Sequence, residues 1–362
     1  MKKIDIIVGA RPNFMKIAPV IEVLSQPQIK EKLSYRLIHT GQHYDKKMSG
    51  SFFEELGIPE PDVNLGAGGG TQAEQTAAIM VGYERLLLDS PADICLVVGD
   101  VTSTMACAIV AKKMHLKVVH VEAGIRSFDL SMPEEINRMV TDSITDFFYT
   151  TSGTANQNLR KAGVAEERIQ FVGNTMIDTL LKHFPNLQKP TVLDEINAEY
   201  GNYFVLTLHR PANVDGEHQL KALIETIIGA SQGLPIFFPV HPRTAKNLLN
   251  IGLLAPNLHL IEPLSYLQFN YLVKHAKAVI TDSGGITEET TVMGIPCLTL
   301  RDNTERPETI TVGTNELIGT NPKNIPPALE KLFEGKWKKG DIPELWDGNA
   351  AQRIVSHLIS TI

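Results

Sequence analysis

The sequence AVITDSGGITEE at positions 278–289 decides the fold class, together with Gly294 and the apolar run Pro296–Leu300 that follow it. A β-branched run enters a Ser-Gly-Gly turn, the turn opens a helix, and the helix ends at Gly294 before the next apolar run begins. Strand, helix and strand in this order predict a parallel sheet with helices on its faces.

The same alternation of strand and helix runs through the chain in two series. Runs of four to six apolar residues without alternation indicate strands that are covered on both faces. In Pro133–Asp146 the residues Ile136, Met139, Val140 and Ile144 have the spacing of one helix face. The predicted strands are Ile4–Val8, Tyr35–His39, Asp93–Val98, Lys117–Val121, Asp146–Thr150 and Ile169–Val172, then Tyr203–Leu208, Ile236–Val240, Leu258–Ile261, Ala278–Thr281 and Pro296–Leu300.

Two series of strands predict an α/β protein with two Rossmann-like, doubly wound parallel-sheet domains. The length of 362 residues agrees, because single cores stop growing near ~250–300 residues. The polar, proline-bearing stretch His183–Pro190 lies between the series and is typical of a linker. The amphipathic tail Ala350–Ile362 either closes the second domain or returns to the first, and its periodicity fits both.

Composition excludes several classes of protein. Aromatic residues make up 6% of the chain and the net charge is −7, so a stacking platform or a general polyanion surface for nucleic acid is not expected. The sequence contains no apolar run of ~18 residues, and the run at the N-terminus is too short for a signal peptide. Cys95, Cys107 and Cys297 are expected to be buried free thiols, which fits a cytoplasmic protein.

The first strand leads into a turn that suits an anionic ligand. It carries Gly9-Ala10-Arg11-Pro12, where a dinucleotide-binding turn would have Gly-x-Gly-x-x-Gly. Arg11 and Lys16 place two cations at the start of the following helix. Because a helix N-terminus attracts negative charge, we expect an anion here.

Three carboxylates are predicted at the same edge of the first sheet. Asp100 and Glu122 each follow a buried strand, and Glu134 lies in the first turn of a predicted helix. Neighbouring carboxylates repel one another, and this raises the pKa of at least one of them. Such a group is typical of acid–base chemistry on a substrate.

The second series ends in groups that suit a nucleoside diphosphate. Ser283-Gly284-Gly285 lets a phosphate approach backbone N–H groups at a helix N-terminus. Glu289, one turn further on, is placed to accept hydrogen bonds from a pair of sugar hydroxyls. No His-Glu-x-x-His or paired-cysteine motif predicts a metal. The basic side chains that follow these strands are His209, Arg210, His241, Arg301 and Arg306.

The chain resembles the non-hydrolysing UDP-N-acetylglucosamine 2-epimerases. The matching segments are collinear and cover nearly the whole chain. They are Gly9–Pro12 with Lys16, Gly99-Asp100, His120–Arg126, Pro133–Arg138, Gly173–Thr175 with Asp178, His209-Arg210, Asp282–Glu289 and Thr304–Pro307.

The resemblance implies a GT-B-like pair of domains facing a central cleft. The first domain would comprise residues 1–175 plus 350–362, with the tail returning to it, and the second would comprise residues 176–349. The implied reaction inverts C2 of UDP-GlcNAc to give UDP-ManNAc, through elimination of UDP to 2-acetamidoglucal and its re-addition. It requires neither NAD nor a metal. A homodimer and a place in the biosynthesis of cell-surface polysaccharide are also implied.

The resemblance also assigns roles to residues. Proton transfer would fall to Asp100, Glu122 and Glu134, with Lys16 and His209 as further catalytic residues. The groups that hold the UDP-sugar would be Arg11, Lys16, His209, Arg210, His241, Ser283, Gly284, Gly285, Glu289 and Arg306.

Four alternatives remain open. Hydrolysing relatives carry Gly-Gly-Glu where this chain has Glu122-Ala123-Gly124, which argues against release of free ManNAc. The stretches His39–Tyr44 and Phe52–Asn64 also resemble epimerases of UDP-2,3-diacetamido-2,3-dideoxyglucuronate. A glycosyltransferase of the same fold and a non-catalytic nucleotide-sugar sensor are further alternatives. Some members of the family bind a second UDP-GlcNAc as an activator, and Gln42-His43 matches part of that site. Gly68–Gly70 occupies the region where those members carry the arginine of the site.

Overall fold

The computed structural model describes residues 1–41, 55–214, 216–240, 248, 252 and 255–361, and only the backbone of Arg11, Pro211 and Ala212. The chain divides into two compact units. The first comprises Met1–Lys182 with Glu344–Ile362, and the second comprises His183–Pro343. No helix in the described ranges is both long and apolar enough to cross a membrane.

The strands are β1 Lys2–Val8, β2 Leu33–His39, β3 Val63–Asn64, β4 Ile94–Val98, β5 Lys117–Val121, β6 Phe147–Thr150, β7 Ile169–Phe171, β8 Phe204–Thr207, β9 Ile236–Pro239, β10 Leu258–Ile261, β11 Ala278–Thr281, β12 Cys297–Thr299 and β13 Asn315–Leu317. The helices are α1 Arg11–Leu24, α2 Pro27–Lys30, α3 Gln72–Asp89, α4 Thr102–Lys113, α5 Pro133–Ile144, α6 Gly153–Lys161, α7 Thr175–His183, α8 Val192–Glu195, α9 Pro211–Val214, α10 Glu217–Ala230, α11 Tyr266–Lys274, α12 Gly284–Met293, α13 Pro307–Thr311, α14 Ile325–Phe333 and α15 Ala350–Thr361.

Each unit contains one parallel sheet, as the two series of strands predict. Within the described residues the first sheet has seven strands in the order β3-β2-β1-β4-β5-β6-β7, and the second has six in the order β10-β9-β8-β11-β12-β13. In both sheets the order reverses direction beside the first strand of its series, which is the switch point where such sheets bind ligands. The predicted fold class, two doubly wound α/β domains, is confirmed. The short edge strands β3 and β13 were not predicted.

Both faces of the sheets are covered by apolar side chains. Along β8, Phe204 and Leu206 pack in one buried cluster, while Tyr203 and Val205 pack in a second cluster. The unbroken apolar runs therefore mark doubly covered strands, as predicted. The three cysteines are free and buried, which confirms that prediction as well.

Helix α5 forms where the sequence predicts a helix, but its apolar residues do not make the buried face. Ile136 and Met139 are each 48% exposed. The buried residues of the helix are all polar, and they are Glu135, Asn137, Arg138, Thr141 and Asp142. Each end of this polar face bonds to turns at the carboxyl edge of the first sheet, so hydrogen bonds rather than apolar contacts fix the orientation of the helix.

The helix α7 and the tail helix α15 both belong to the first unit. The Asp178 carboxylate accepts hydrogen bonds from the backbone N–H groups of Ala350 (3.1 Å) and Ala351 (2.7 Å), which open α15. Thr179 donates to the carbonyl of Met15 at 2.6 Å. These bonds connect α7 to α1 and α15, so the compact unit extends past residue 175 to Lys182.

Candidate functional site

The carboxyl edge of the first sheet holds Asp100 and Glu122 on neighbouring turns. Strands β4 and β5 pair with Val98 opposite Val121, and the Gly99 N–H donates to the Val121 carbonyl at 3.0 Å. Asp100 and Glu122 each follow shortly after these paired ends. The structure therefore brings the two predicted carboxylates to one region of the sheet.

Glu122 is buried and ion-paired with Lys16. Its Oε2 lies 2.6 Å from Lys16 Nζ, and the two side chains are 4% and 11% exposed. Lys16 Nζ also lies against Gly99, 3.3 Å from the position that a Cβ would occupy there. Glu122 has a φ of +69°, a left-handed conformation that costs free energy for a residue with a Cβ.

Asp100 is held by the polar face of α5. Its Oδ2 accepts from Arg138 Nε (3.0 Å) and Nη2 (2.5 Å), and its backbone carbonyl accepts from Asn137 Nδ2 at 2.8 Å. Arg138 also contacts Glu135 at 2.7 Å. The Asp100 side chain keeps 23% of its surface exposed, so it is fixed in position yet accessible.

Glu134 lies in the first turn of the same helix and is exposed. Asp100 and Glu122 each contact a cation, Arg138 and Lys16 respectively. The raised pKa that the sequence predicts for at least one of the three carboxylates stays a prediction.

Asp142 connects α5 to both turns. It accepts from His120 Nδ1 and Arg126 Nη1, both at 2.7 Å, and from the Gly124 N–H at 3.1 Å. His120 Nε2 lies 2.8 Å from the carbonyl oxygen of Gly99. Burial alone would raise the pKa of Asp142, but the hydrogen bond and charge of His120, with those of Arg126, lower it.

In the second unit, Asp282 organises the turn that follows β8. Strands β8 and β11 pair in parallel with Thr207 opposite Thr281, so Asp282 follows β11 beside the end of β8. The fully buried Asp282 carboxylate then accepts from the backbone N–H groups of His209 (3.0 Å) and Arg210 (2.9 Å). The His209 side chain remains 58% exposed, so its backbone is held while its imidazole is accessible.

Helix α12 begins at the Ser-Gly-Gly turn, as predicted. Ser283 occupies the N-cap position and its side chain does not bond back to the helix. The first N–H groups of a helix have no partner within it. A Cβ at Gly284 would meet its nearest neighbour only at 3.9 Å, the Oε1 of Glu305. The turn can therefore present backbone donors to an anion.

Glu289 is buried beneath this turn. Its Oε1 accepts from Tyr266 Oη at 3.0 Å and from Asn270 Nδ2 at 3.5 Å. Burial raises the pKa of Glu289 to about 7, the charge of Glu288 adds to the rise, and the two donors act against it. This carboxyl therefore changes charge near neutral pH.

The raised pKa of Glu289 makes the stability of the protein depend on pH. The ordinary pKa is 4.5 and the folded value is about 7, so the folded state binds more protons between these values. Its contribution is fully present below pH 4.5 and is lost as pH rises through about 7. We expect Glu289→Gln to raise the free energy of unfolding at pH 8 by about 3 kcal/mol and to leave it nearly unchanged at pH 4.5.

Urea unfolding at the two pH values measures this difference. Glu225→Gln, at a site where the glutamate is 56% exposed, serves as the control and should change neither value. Equal stabilisation by Glu289→Gln at both pH values would contradict the assignment.

Arginines and glutamates alternate beside the turn. Arg306 Nε donates to Glu288 Oε1 at 2.5 Å. Glu305 contacts both Arg301 (2.5 Å) and Arg210 (3.4 Å). Planar guanidinium groups suit phosphate oxygens.

The side chains of two predicted ligand-binding residues, Arg11 and His241, are not among those that the structure describes. His241 and the pair Gln42-His43 lie outside the described residues, and only the backbone of Arg11 is described, at the first position of α1. Within the described part of the chain, no three His, Cys, Asp or Glu side chains are grouped closely enough to hold a metal ion.

Several residues that build the site were not singled out from the sequence. Arg138 and Asp142 lie four residues apart on the polar face of α5. That spacing on one helix face, close in sequence to Glu134, is the pattern that could have identified them. Tyr266 and Asn270 lie on α11, far from Glu289 along the chain, and no local pattern connects them to it.

The comparisons with known proteins agree with this arrangement. A family model described as UDP-N-acetylglucosamine 2-epimerase matches residues 27–359. The UDP-N-acetylglucosamine 2-epimerase of Methanocaldococcus jannaschii is 40% identical, with 98% of each chain covered. The UDP-2,3-diacetamido-2,3-dideoxy-D-glucuronate 2-epimerase of Pseudomonas aeruginosa is 36% identical, covering 98% of this chain and 99% of its own.

A solved structure of the Methanocaldococcus jannaschii enzyme, in complex with UDP-GlcNAc and UDP, superposes with a TM-score of 0.87 at 40% identity and covers 99% of both chains. The two parallel-sheet α/β units therefore match those of this GT-B-like enzyme. The chain belongs to the UDP-N-acetylglucosamine 2-epimerase family.

Proposed function

We propose that the protein interconverts UDP-GlcNAc and UDP-ManNAc without hydrolysing them. The observation that carries the proposal is the pair of carboxylates at the edge of the first sheet, Asp100 and Glu122, each fixed by its own cation. Membership of the family supports the substrate, and so does the relative at 40% identity whose complex contains UDP-GlcNAc and UDP.

The proposed reaction moves one proton and one leaving group in each direction. A carboxylate takes the proton from C2, the C1–O bond breaks, and the electron pair of the C2–H bond forms the C1=C2 double bond of 2-acetamidoglucal. UDP then adds back to C1, and a carboxyl group returns a proton to the opposite face of C2. Nothing is oxidised or reduced overall, so the balance needs no NAD.

The first unit would supply the proton-transfer groups. Asp100, Glu122 and Glu134 are the proposed acids and bases, since a positioned carboxylate contributes ~10²–10⁴-fold to such steps. Lys16, paired with Glu122 at 2.6 Å, would hold this carboxylate ionised and support negative charge on the departing diphosphate.

The second unit would hold UDP. Backbone donors at Ser283, Gly284 and Gly285 would bind the diphosphate, and Glu289 would accept hydrogen bonds from the ribose hydroxyls. Further contacts proposed from the resemblance come from Arg11, His209, Arg210, His241 and Arg306. His209, exposed at the end of β8, would also take part in catalysis.

The assignment of Glu289 to the ribose predicts a pH effect on UDP binding. A hydrogen bond to an ionised carboxylate contributes roughly 1.5–3 kcal/mol, about twice as much as one to a neutral group. Since the pKa of Glu289 is about 7, we expect Glu289→Gln to weaken UDP binding about tenfold at pH 8 and little at pH 6.

Calorimetric titration of both proteins at each pH tests this effect. The ratio of the two Kd values cancels the titration of the phosphate itself. A ratio that does not change with pH would remove Glu289 from the ribose site.

Product analysis tests the proposed function. With UDP-GlcNAc as the substrate, chromatography should show UDP-ManNAc and no accumulation of free sugar. Free ManNAc together with UDP would instead indicate the hydrolysing reaction. Transfer of the sugar only when an acceptor is added would indicate a glycosyltransferase. Homodimer assembly, cytoplasmic location and a role in polysaccharide biosynthesis stay predictions of the resemblance.

A further inference from the structure

The His120–Asp142 pair links the two turns that carry the proposed catalytic carboxylates. Both residues are buried, His120 at 1% and Asp142 at 5% exposure. Asp142 belongs to α5, and His120 belongs to β5. Neither residue has a role in the proton transfers described above.

Each ring nitrogen of His120 has its own hydrogen-bond partner. Nε2 lies 2.8 Å from the Gly99 carbonyl oxygen, and Nδ1 lies 2.7 Å from Asp142 Oδ1. A carbonyl oxygen only accepts, and so does an ionised carboxylate. Asp142 is also bound by Arg126 Nη1 and by the Gly124 N–H, which favours its ionised form. Both partners of the ring are therefore hydrogen-bond acceptors, one on each turn.

The chain of contacts runs from one carboxylate-bearing turn to the other. Gly99 precedes Asp100 and has a left-handed φ of +67°. The hydrogen bond between the Gly99 carbonyl oxygen and His120 holds the turn in this conformation. On the other side, Asp142 binds the loop that begins at Glu122, through Gly124 and Arg126. The same helix binds Asp100 through Arg138. Because these links share α5, the two turns cannot shift independently while the links persist.

We propose that His120 and Asp142 are positioning residues for the epimerisation: by contacting Asp142 through Nδ1 and the Gly99 carbonyl through Nε2, His120 fixes the Gly99–Asp100 turn relative to the Glu122–Arg126 loop. This inference rests on the proposed function. Proton transfer at C2 depends on the placement of the carboxylates, and a displacement of about 1 Å can cost on the order of 10²-fold in rate.

Kinetics of His120→Gln, Asp142→Asn and the double variant test the proposal. For each single variant we expect kcat for epimerisation to fall on the order of 10²-fold, while the KM for UDP-GlcNAc and the Kd for UDP change less than about twofold. The double variant should be no slower than the slower single variant, since residues that act as one unit are not additive.

The control is Tyr83→Phe. Tyr83 is fully buried in the same unit, and its hydroxyl donates to Asp5 at 3.1 Å, away from the carboxyl edge of the sheet. This variant should lower the melting temperature and leave kcat per folded molecule unchanged.

Three outcomes would overturn the proposal. The first is a folded His120→Gln protein with wild-type kcat. The second is a double variant whose loss is the product of the two single losses. The third, which needs no variant to fold, is a long-range ¹⁵N–¹H spectrum of the wild-type protein in which the proton on the buried His120 ring exchanges rapidly with solvent. Absence of epimerisation by the wild-type protein would refute the proposed function and not the hydrogen-bonding arrangement.

Discussion

Asp100→Asn is expected to reduce epimerisation by about 10³-fold or more and to leave the Kd for UDP within about twofold of wild type. The asparagine keeps the size of the side chain but cannot take up a proton. The carboxylate is 23% exposed and held by Arg138, so it is both positioned and accessible to a substrate. Removing a positioned acid or base costs ~10²–10⁴-fold.

Asp93→Asn is the matched control because Asp93 precedes the same strand, β4, at its opposite end. Asp93 binds the Lys3 N–H at 2.8 Å and Lys2 Nζ at 3.1 Å. We expect a small loss of stability and unchanged kcat. Initial rates of epimerisation of UDP-GlcNAc and calorimetric measurement of the Kd for UDP test this prediction for both variants. Normal turnover by folded Asp100→Asn would exclude Asp100 from proton transfer.

Glu122→Gln is expected to reduce the rate to a similar extent, about 10³-fold. The glutamine preserves the volume but removes the charge that pairs with Lys16 at 2.6 Å. It therefore removes one proton-transfer group and leaves a buried ammonium without its counterion. We expect a lower free energy of unfolding as well, since breaking one side of a buried ion pair costs roughly 3–5 kcal/mol.

Asp5→Asn separates the loss of stability from the loss of rate. Asp5 is fully buried and pairs with Arg36 at 2.7 Å in the same unit. It lies within β1, away from the carboxyl edge of the sheet. This control should lose stability as Glu122→Gln does, yet keep its kcat per folded molecule. A rate loss in Asp5→Asn equal to that of Glu122→Gln would show that the Glu122 effect is structural.

The sequence predicts most of the fold because the strands are local features. Unbroken apolar runs mark them, and Lys117–Val121, Leu258–Ile261 and Ala278–Thr281 have the predicted bounds. The edge strands Val63–Asn64 and Asn315–Leu317 are only two and three residues long. Strands of two or three residues are too short to show a periodic pattern of apolar residues. They are recognised only by their hydrogen bonds to a neighbouring strand.

Helix α5 shows where a sequence pattern is informative but ambiguous. Its period predicts a helix, and a helix forms. The rule that an apolar stripe faces the core fails here because the opposite face carries Glu135, Arg138 and Asp142. These residues bond to the segments around Ser127, Asp100 and Gly124, respectively. Those partners lie outside the helix, so the pattern of the helix alone cannot identify them.

The position of a candidate site residue was more predictable than its surroundings. Asp100 and Glu122 were found because they follow buried strands. Lys16 is predicted to lie near an anionic ligand, which stays a prediction, and in the structure it pairs with the carboxylate of Glu122. The environment of Glu289 depends on Tyr266 and Asn270, and no spacing in the sequence indicates that contact.

Solvent exchange at C2 is the most direct test of the proposed reaction. The wild-type protein is incubated with UDP-GlcNAc in D₂O, and the sugar is followed by NMR. We predict that UDP-ManNAc forms and carries deuterium at C2, because the proton removed from one face is replaced by one from solvent on the other. UDP-ManNAc that retains its original C2 hydrogen, or no deuterium uptake and no product at any substrate concentration, would contradict the proposal.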